Sequence, residues 1–226
     1  MTKSSRLISI EEVAENEYVL NPSRYLQRET VVKNGVFFET VIKNITRGAQ
    51  IKASVLDEIV SDEPTNMQYL MLANLQDGII SDELPYLKGI DSKYEKYCIK
   101  NGSLVISKNA SPVKMAIVSV QEGNKILANG NLYVIELDKD KINPYFLKAY
   151  LESESGKAAL SRVAVGATLL NLPVEGLKKV IIPLPDLESQ KKIADQYYAK
   201  LSEIKELKYK LEKATEELEH IYTEEK

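Results

Sequence analysis

The feature that constrains this chain most is a run near its C-terminus, Ser189 to Tyr222, that contains neither glycine nor proline. Within it the apolar residues Ile193, Tyr197, Leu201, Ile204, Leu207, Leu211, Ala214, Leu218 and Ile221 recur at steps of four and three. That spacing is the a/d seam of a coiled coil. Lys and Glu fill the other faces, where Glu206 and Lys210 form a favourable i,i+4 pair and Glu212 and Glu216 repel. At 1.5 Å per residue such a helix reaches roughly 50 Å. A lone projecting helix cannot bury so narrow a seam. It must fold back on its own body or pair with a helix from another chain, and the long period with charged flanks favours pairing.

The residues before this helix predict how it is entered. Val180-Ile181-Ile182 reads as a short strand, Pro183 and Pro185 stop the ladder, and Asp186 or Ser189 can cap the helix. The division expected is therefore a globular domain over 1–187 and a coiled-coil spacer and dimerisation helix over 188–226. A body of that size suffices for one ordinary core. No apolar run approaches the ~20 residues of a membrane span, and MTKSSRLISIEEVAE has no secretory apolar segment. Cys98 is the single cysteine, so no intrachain disulfide forms, which fits a reducing cytoplasm.

Along the body, short strand-like runs are separated by turn signals. LISIEEVAENEY reads as a short helix, and Asn21-Pro22 as a break. VVKNGVFFETVIKNI carries Asn34-Gly35 as a candidate hairpin turn, and IKASVLDEIV suits a short helix. MQYLMLANL fits strand or helix equally. SLVISK, MAIVSV and ILANGNLYVIEL read as strands, the last broken at Asn129-Gly130. Residues 144–164 read as one helix with Pro144 in its first turn. Strands in the middle with helices toward the ends predict an α+β fold. The net charge of −3 argues weakly against non-specific nucleic-acid binding, but charge is unevenly spread. Asp57, Glu58, Asp62, Glu63, Asp77, Asp82 and Glu83 lie between Lys52 and Lys88 with no basic residue among them. From 88 to 125, seven lysines outnumber Asp91, Glu95 and Glu122, the composition of a local anion-binding face.

The chain carries little that suggests catalysis, and no cofactor or metal is expected. His220 is the only histidine, which leaves no zinc set and no Ser-His or Cys-His pair. There is no phosphate-binding glycine loop. Pro185-Asp186 with Glu206-Leu207-Lys208 imitates a spaced nuclease signature, but five helical turns part the carboxylates by roughly 30 Å, too far to share a metal. Asn21-Pro22 is followed by Ser23 and Arg24, not by the proline and aromatic residue of amino-methyltransferases.

Several blocks together resemble one family. IKNITRG, YLMLANLQDGII, CIKNGSLVISKNASPVKMAIV, INPYFLKAYLES and GATLLNLPVEGLKKVIIPLPDLESQKKIA occur in an order similar to the target-recognition half of type I restriction–modification specificity subunits. The likeness is clearest over residues 42–215. A complete subunit of that family has two recognition domains and two spacer helices, whereas this chain resembles a half-subunit with one of each. LNPSRYL is also similar to the lead-in to recognition domains fused to methyltransferases, so the chain also resembles a recognition module detached from such a fusion.

The resemblance implies sequence-specific binding of double-stranded DNA without catalysis. The implied partners are a DNA adenine methyltransferase subunit, a restriction and translocase subunit, and a second copy of this chain. By analogy the DNA-reading residues are Arg47, Gly48, Lys108, Asn109, Ser111, Lys114, Asn129, Asn131, Thr168 and Asn171. Arg and Lys suit guanine edges or phosphates and Asn suits adenine, although Asn and Ser also simply build turns. The seam residues Ile193, Tyr197, Leu201, Ile204, Leu207, Leu211 and Leu218 are the expected dimer contacts. The competing reading is a coiled-coil scaffold whose domain binds protein and not DNA.

Overall fold

A computed structural model describes residues 7–15, 34–166 and 171–221, together with residues 18, 20, 25 and 32. Thr168 and most of LNPSRYL lie outside the described residues. A first short helix, α1 (Ile10–Glu15), precedes β1 (Gly35–Phe37), a 3-10 turn (Phe38–Val41) and β2 (Ile42–Arg47). Then come α2 (Ala53–Ile59), β3 (Val60–Ser61), β4 (Met67–Leu70), β5 (Leu75–Gln76), β6 (Ile79–Ile80) and β7 (Tyr86–Leu87). A 3-10 turn (Ser92–Tyr97) leads to β8 (Leu104–Ser107), β9 (Met115–Ile117), β10 (Lys125–Ala128) and β11 (Leu132–Leu137). The chain ends through α3 (Pro144–Glu152), α4 (Glu154–Val163), α5 (Val174–Lys178), β12 (Ile181–Pro183) and the long α6 (Leu187–His220). The fold is α+β, as the residue pattern predicts.

Two four-stranded sheets, β2-β11-β8-β9 and β10-β4-β7-β3, organise the body. Their strands bury alternate residues to opposite sides. Leu104, Ile106, Tyr133 and Ile135 face the helices α3 and α4. Val105, Ala116, Leu132 and Val134 face the other sheet and meet Leu70, Ile126 and Ala128. Met67, Tyr69, Leu87 and Leu127 point out of that second sheet toward Leu56, Tyr94 and Tyr97. The body thus holds three apolar clusters stacked across two sheets, where its length alone suggested one core.

Local chemistry accounts for the differences from sequence expectation. Asn34 does turn the chain, at φ 54°. No hairpin follows, because β1 pairs antiparallel with β12 and β2 pairs with β11. The expected single helix over 144–164 is two. Asn143 caps the first through bonds from Tyr145 N and Phe146 N, and Ser153 caps the second by accepting from Gly156 N at 3.2 Å. Gly156 permits the break, since a Cβ there would stand 2.0 Å from the Tyr150 carbonyl oxygen. MQYLMLANL resolves into strand β4 and a 3-10 turn.

Candidate nucleic-acid interface

Four segments far apart in sequence meet at the ends of the strands. Strand β2 runs out at Arg47, and Gly48 N donates to the Leu132 carbonyl at 2.9 Å. The link between β10 and β11 is a tight turn closed by Leu132 N on the Asn129 carbonyl at 2.9 Å. The loop after β8 joins it, with Lys108 N donating to the Asn131 carbonyl at 2.8 Å. Leu172 N returns to the Lys108 carbonyl at 2.9 Å, and Asn109 bridges Asn171. Backbone hydrogen bonds therefore fix the relative positions of Lys108, Asn109, Asn131 and Asn171.

The expected reading residues separate into those spent on architecture and those offered to solvent. The Arg47 guanidinium donates from Nε to the Gly130 carbonyl at 2.7 Å, and it stands beside the Gln50 amide. Gly48 is buried where a Cβ would lie 2.2 Å from the Asn129 carbonyl oxygen, so its role is close backbone approach. Asn129 donates to the Tyr69 hydroxyl at 2.5 Å and accepts from Asn131 N at 2.9 Å. Asn129 therefore builds the turn. Burial pushes the Tyr69 phenol above its ordinary pKa, against the opposing effect of the Asn129 bond. Ser111, Asn131 and Asn171 are exposed, and Lys108 and Asn109 are half-buried beside them. Lys114 lies to one side, close enough for its charge to help hold the Asp77 carboxyl low.

The lysine-rich stretch is less of a cationic face than its composition suggests. Lys93 pairs with Asp91 at 2.8 Å, Lys100 with Glu136 at 2.8 Å and Lys125 with Glu95 at 3.0 Å. Lys93 and Lys96 also lie over the rings of Tyr94 and Tyr97 at 5.0 and 5.1 Å. Exposed pairs of this kind contribute little to stability, but they offset charge locally.

The terminal helix α6 begins where Asp186 accepts from Ser189 N at 2.9 Å, which with the Ser189 hydroxyl holds the Asp186 carboxyl below the usual carboxylate range. Its first turns dock on α3. Gln190 and Ala194 are buried, with the Gln190 amide accepting from Asn143 N at 2.8 Å and donating to the Lys141 and Pro185 carbonyls. Tyr198 meets Tyr145 edge-on at 4.9 Å. Farther along, Lys205 pairs with Asp82 at 2.7 Å and Lys208 pairs with Asp77, both acids belonging to the β5–β6 hairpin region. That docked face adjoins the apolar seam without using most of it. Ile193, Ile204, Leu207, Leu211 and Leu218 stay 42–68% exposed. Tyr197 is the seam residue drawn inward, and Leu201 is half-buried.

A node at this junction was invisible in the sequence. Lys148, fully buried on α3, donates to Glu152 at 2.9 Å and to the Tyr197 hydroxyl at 2.5 Å, and the Tyr197 hydroxyl donates to the other oxygen of Glu152. Burial lowers the Lys148 pKa against the attraction of Glu152. Burial and Glu152 both push the Tyr197 phenol far above its ordinary range, so it keeps its proton. The only local hint is a lysine in the apolar run PYFLKAYL with a glutamate four residues on.

Among the described residues no group of three His, Cys, Asp or Glu side chains could hold a metal. Asp186 and Glu206 of the nuclease-like spacing are, respectively, a helix cap and the partner of Lys210. No described helix is long and apolar enough to cross a membrane. The fold is similar to a chain of a type I R-M system solved for its complex assembly and conformational transition (TM-score 0.56, 18% identity, 93% of this chain and 48% of that one). It is also similar to the HsdS subunit from Thermoanaerobacter tengcongensis (TM-score 0.50, 18% identity, 87% and 44%). The chain thus spans about half the length of these structures. No curated protein sequence matches it. Residues 58–217 match the family described as the type I restriction modification DNA specificity domain, and the chain belongs to that family.

Proposed function

We propose that the chain is a half-length DNA specificity subunit. Residues 1–187 read one half of a target and the segment over 188–226, which carries α6, joins two copies. The carrying observation is the convergence of the 108–111, 129–131 and 171 segments on one rigid edge with Ser111, Asn131 and Asn171 exposed. Such groups suit base edges, and Lys108 and Lys114 suit phosphates. The chain performs no chemistry itself. In the cytoplasm it directs a separate adenine methyltransferase subunit and a restriction and translocase subunit to the site.

For a self-paired α6, charge favours one orientation. From Leu187 to Lys210 it carries six lysines (191, 192, 200, 205, 208, 210) against Glu188, Asp195, Glu203 and Glu206. From Leu211 to His220 it carries Glu212, Glu216, Glu217 and Glu219 against Lys213. Parallel pairing in register would stack the acidic 211–220 stretch on its own copy, whereas antiparallel pairing draws the two acidic stretches apart. A two-fold axis then passes near Leu207.

The test is to co-express the chain with the methyltransferase subunit, map methylated adenines, and titrate binding to the mapped duplex with salt. Binding that favours that duplex and weakens steeply with salt supports the reading. A chain that shows no duplex preference with the methyltransferase present is instead the coiled-coil scaffold, a reading favoured by the internal pairing of Lys93, Lys100 and Lys125.

A further inference from the structure

The buried node at the root of α6 is more elaborate than docking requires. A helix that only needed to rest on α3 would do so with Gln190, Ala194 and Tyr198. Here a fully buried ammonium is set against Glu152 and Tyr197, an arrangement that an apolar trio of similar size would match or exceed in stability. Its geometry is directional. The Tyr197 hydroxyl accepts from Lys148 Nζ and donates to Glu152, so its position is held by a donor and an acceptor at once.

The node is also closed from above. The β5–β6 turn crosses it with Asp77 at φ 50° and Gly78 at φ 76°. A Cβ on Gly78 would stand 2.6 Å from Lys148 Nζ and 2.9 Å from Glu152 Oε1. Asp77 beside it pairs with Lys208, three turns beyond Tyr197 on the same helix. The turn thus covers the α3 side of the node through Gly78 and holds α6 through Asp77. It is linked to the reading edge as well, because β6 packs against β9, which continues directly from the 108–114 loop, and the Lys114 charge acts on Asp77.

We propose that Lys148, Glu152 and Tyr197, capped by the Asp77–Gly78 turn, form a joint that fixes the direction of α6 relative to the reading loops and so sets the distance between the two half-sites. These are positioning residues that touch no DNA. The spacing half of the inference rests on the function proposed above, while the joint itself stands on intrachain geometry. A joint left free would let each domain bind its half-site but blur the span between them. A polar, directional contact resists that blurring better than an apolar one, which tolerates sliding.

Two measurements decide it, one free of DNA. In a Cys98→Ser background, spin labels at Ser111→Cys and Thr215→Cys, diluted into unlabelled chain, report the loop-to-helix distance by pulsed electron resonance. One narrow distribution is expected. It should broaden at least twofold in Tyr197→Ala and measurably in Tyr197→Phe, which keeps the ring and folds, and it should not change in Tyr209→Ala on the exposed stretch. The second measurement compares unlabelled proteins on duplexes whose spacer is correct or one base pair longer. Tyr197→Phe should lose at least fivefold of the spacer preference while affinity for a single half-site stays within twofold. Narrow distances in both folded Tyr197 variants overturn the joint, and so does undiminished spacer discrimination. If the unaltered protein binds no duplex, the proposed function fails and the label distances alone decide the joint.

Discussion

Asn129 and Asn131 stand two residues apart and do unlike work. Asn129 spends its amide on Tyr69 and on the backbone of its own turn, whereas Asn131 presents an exposed side chain. Asn129→Ala should therefore lower stability by about 1–3 kcal/mol, visible in urea melts, because the buried Tyr69 loses the partner of its hydroxyl. Asn131→Ala should leave the melt unchanged and weaken DNA affinity by about 1–3 kcal/mol, read by fluorescence anisotropy. An unaltered affinity there would move the reading edge elsewhere. Lys108→Ala and Lys114→Ala should each lower the salt dependence of binding by about one ion. Gly48→Ala should impair folding, since its Cβ meets main chain that cannot swing aside. Sequence marked all these positions as turn or polar residues. It could not divide them, because Asn129 is consumed by a partner sixty residues away.

At the scale of elements, the seam of α6 was legible because a period of four and three is local information. The docked face was not. Gln190 reads as a surface residue until Asn143, Lys141 and Pro185 are brought around it. Strand existence was similarly visible in SLVISK and ILANGNLYVIEL, yet the partners of β1 and β2 lie beyond any turn signal, which is why Asn34-Gly35 misled. Leu207→Asp with Leu211→Asp should turn a dimer into a monomer in sedimentation while leaving the body's melting point intact, since both side chains are exposed and off the docked face. A dimer that persists would place the interface elsewhere. The entry to α6 also carries a pH signature. The Asp186 carboxyl is held below its ordinary 3.8, so its contribution is full above that value and is lost as pH falls through the lower folded value. Melting temperatures should thus be insensitive to Asp186 from pH 8 to 5 and fall more steeply below pH 3.8 for the native chain than for Asp186→Asn.

For the whole molecule, two copies related by a two-fold axis near Leu207 require half-sites related the same way, so the target should be a gapped palindrome. A methylation map with unlike halves would rule out the symmetric pair. One further consequence lies in the order of synthesis. β1 closes only against β12, β2 only against β11, and β4 lies parallel to β10. β1 must therefore wait with its edge open until β12 emerges, while β2 waits for β11 and β4, which meets β7 early, keeps its other edge open until β10, and α6 follows last. Such long-range closure is slow and leaves sticky intermediates. Under the proposed self-pairing, this order would have each body nearly complete before its α6 meets a second copy, which disfavours pairing between half-made chains.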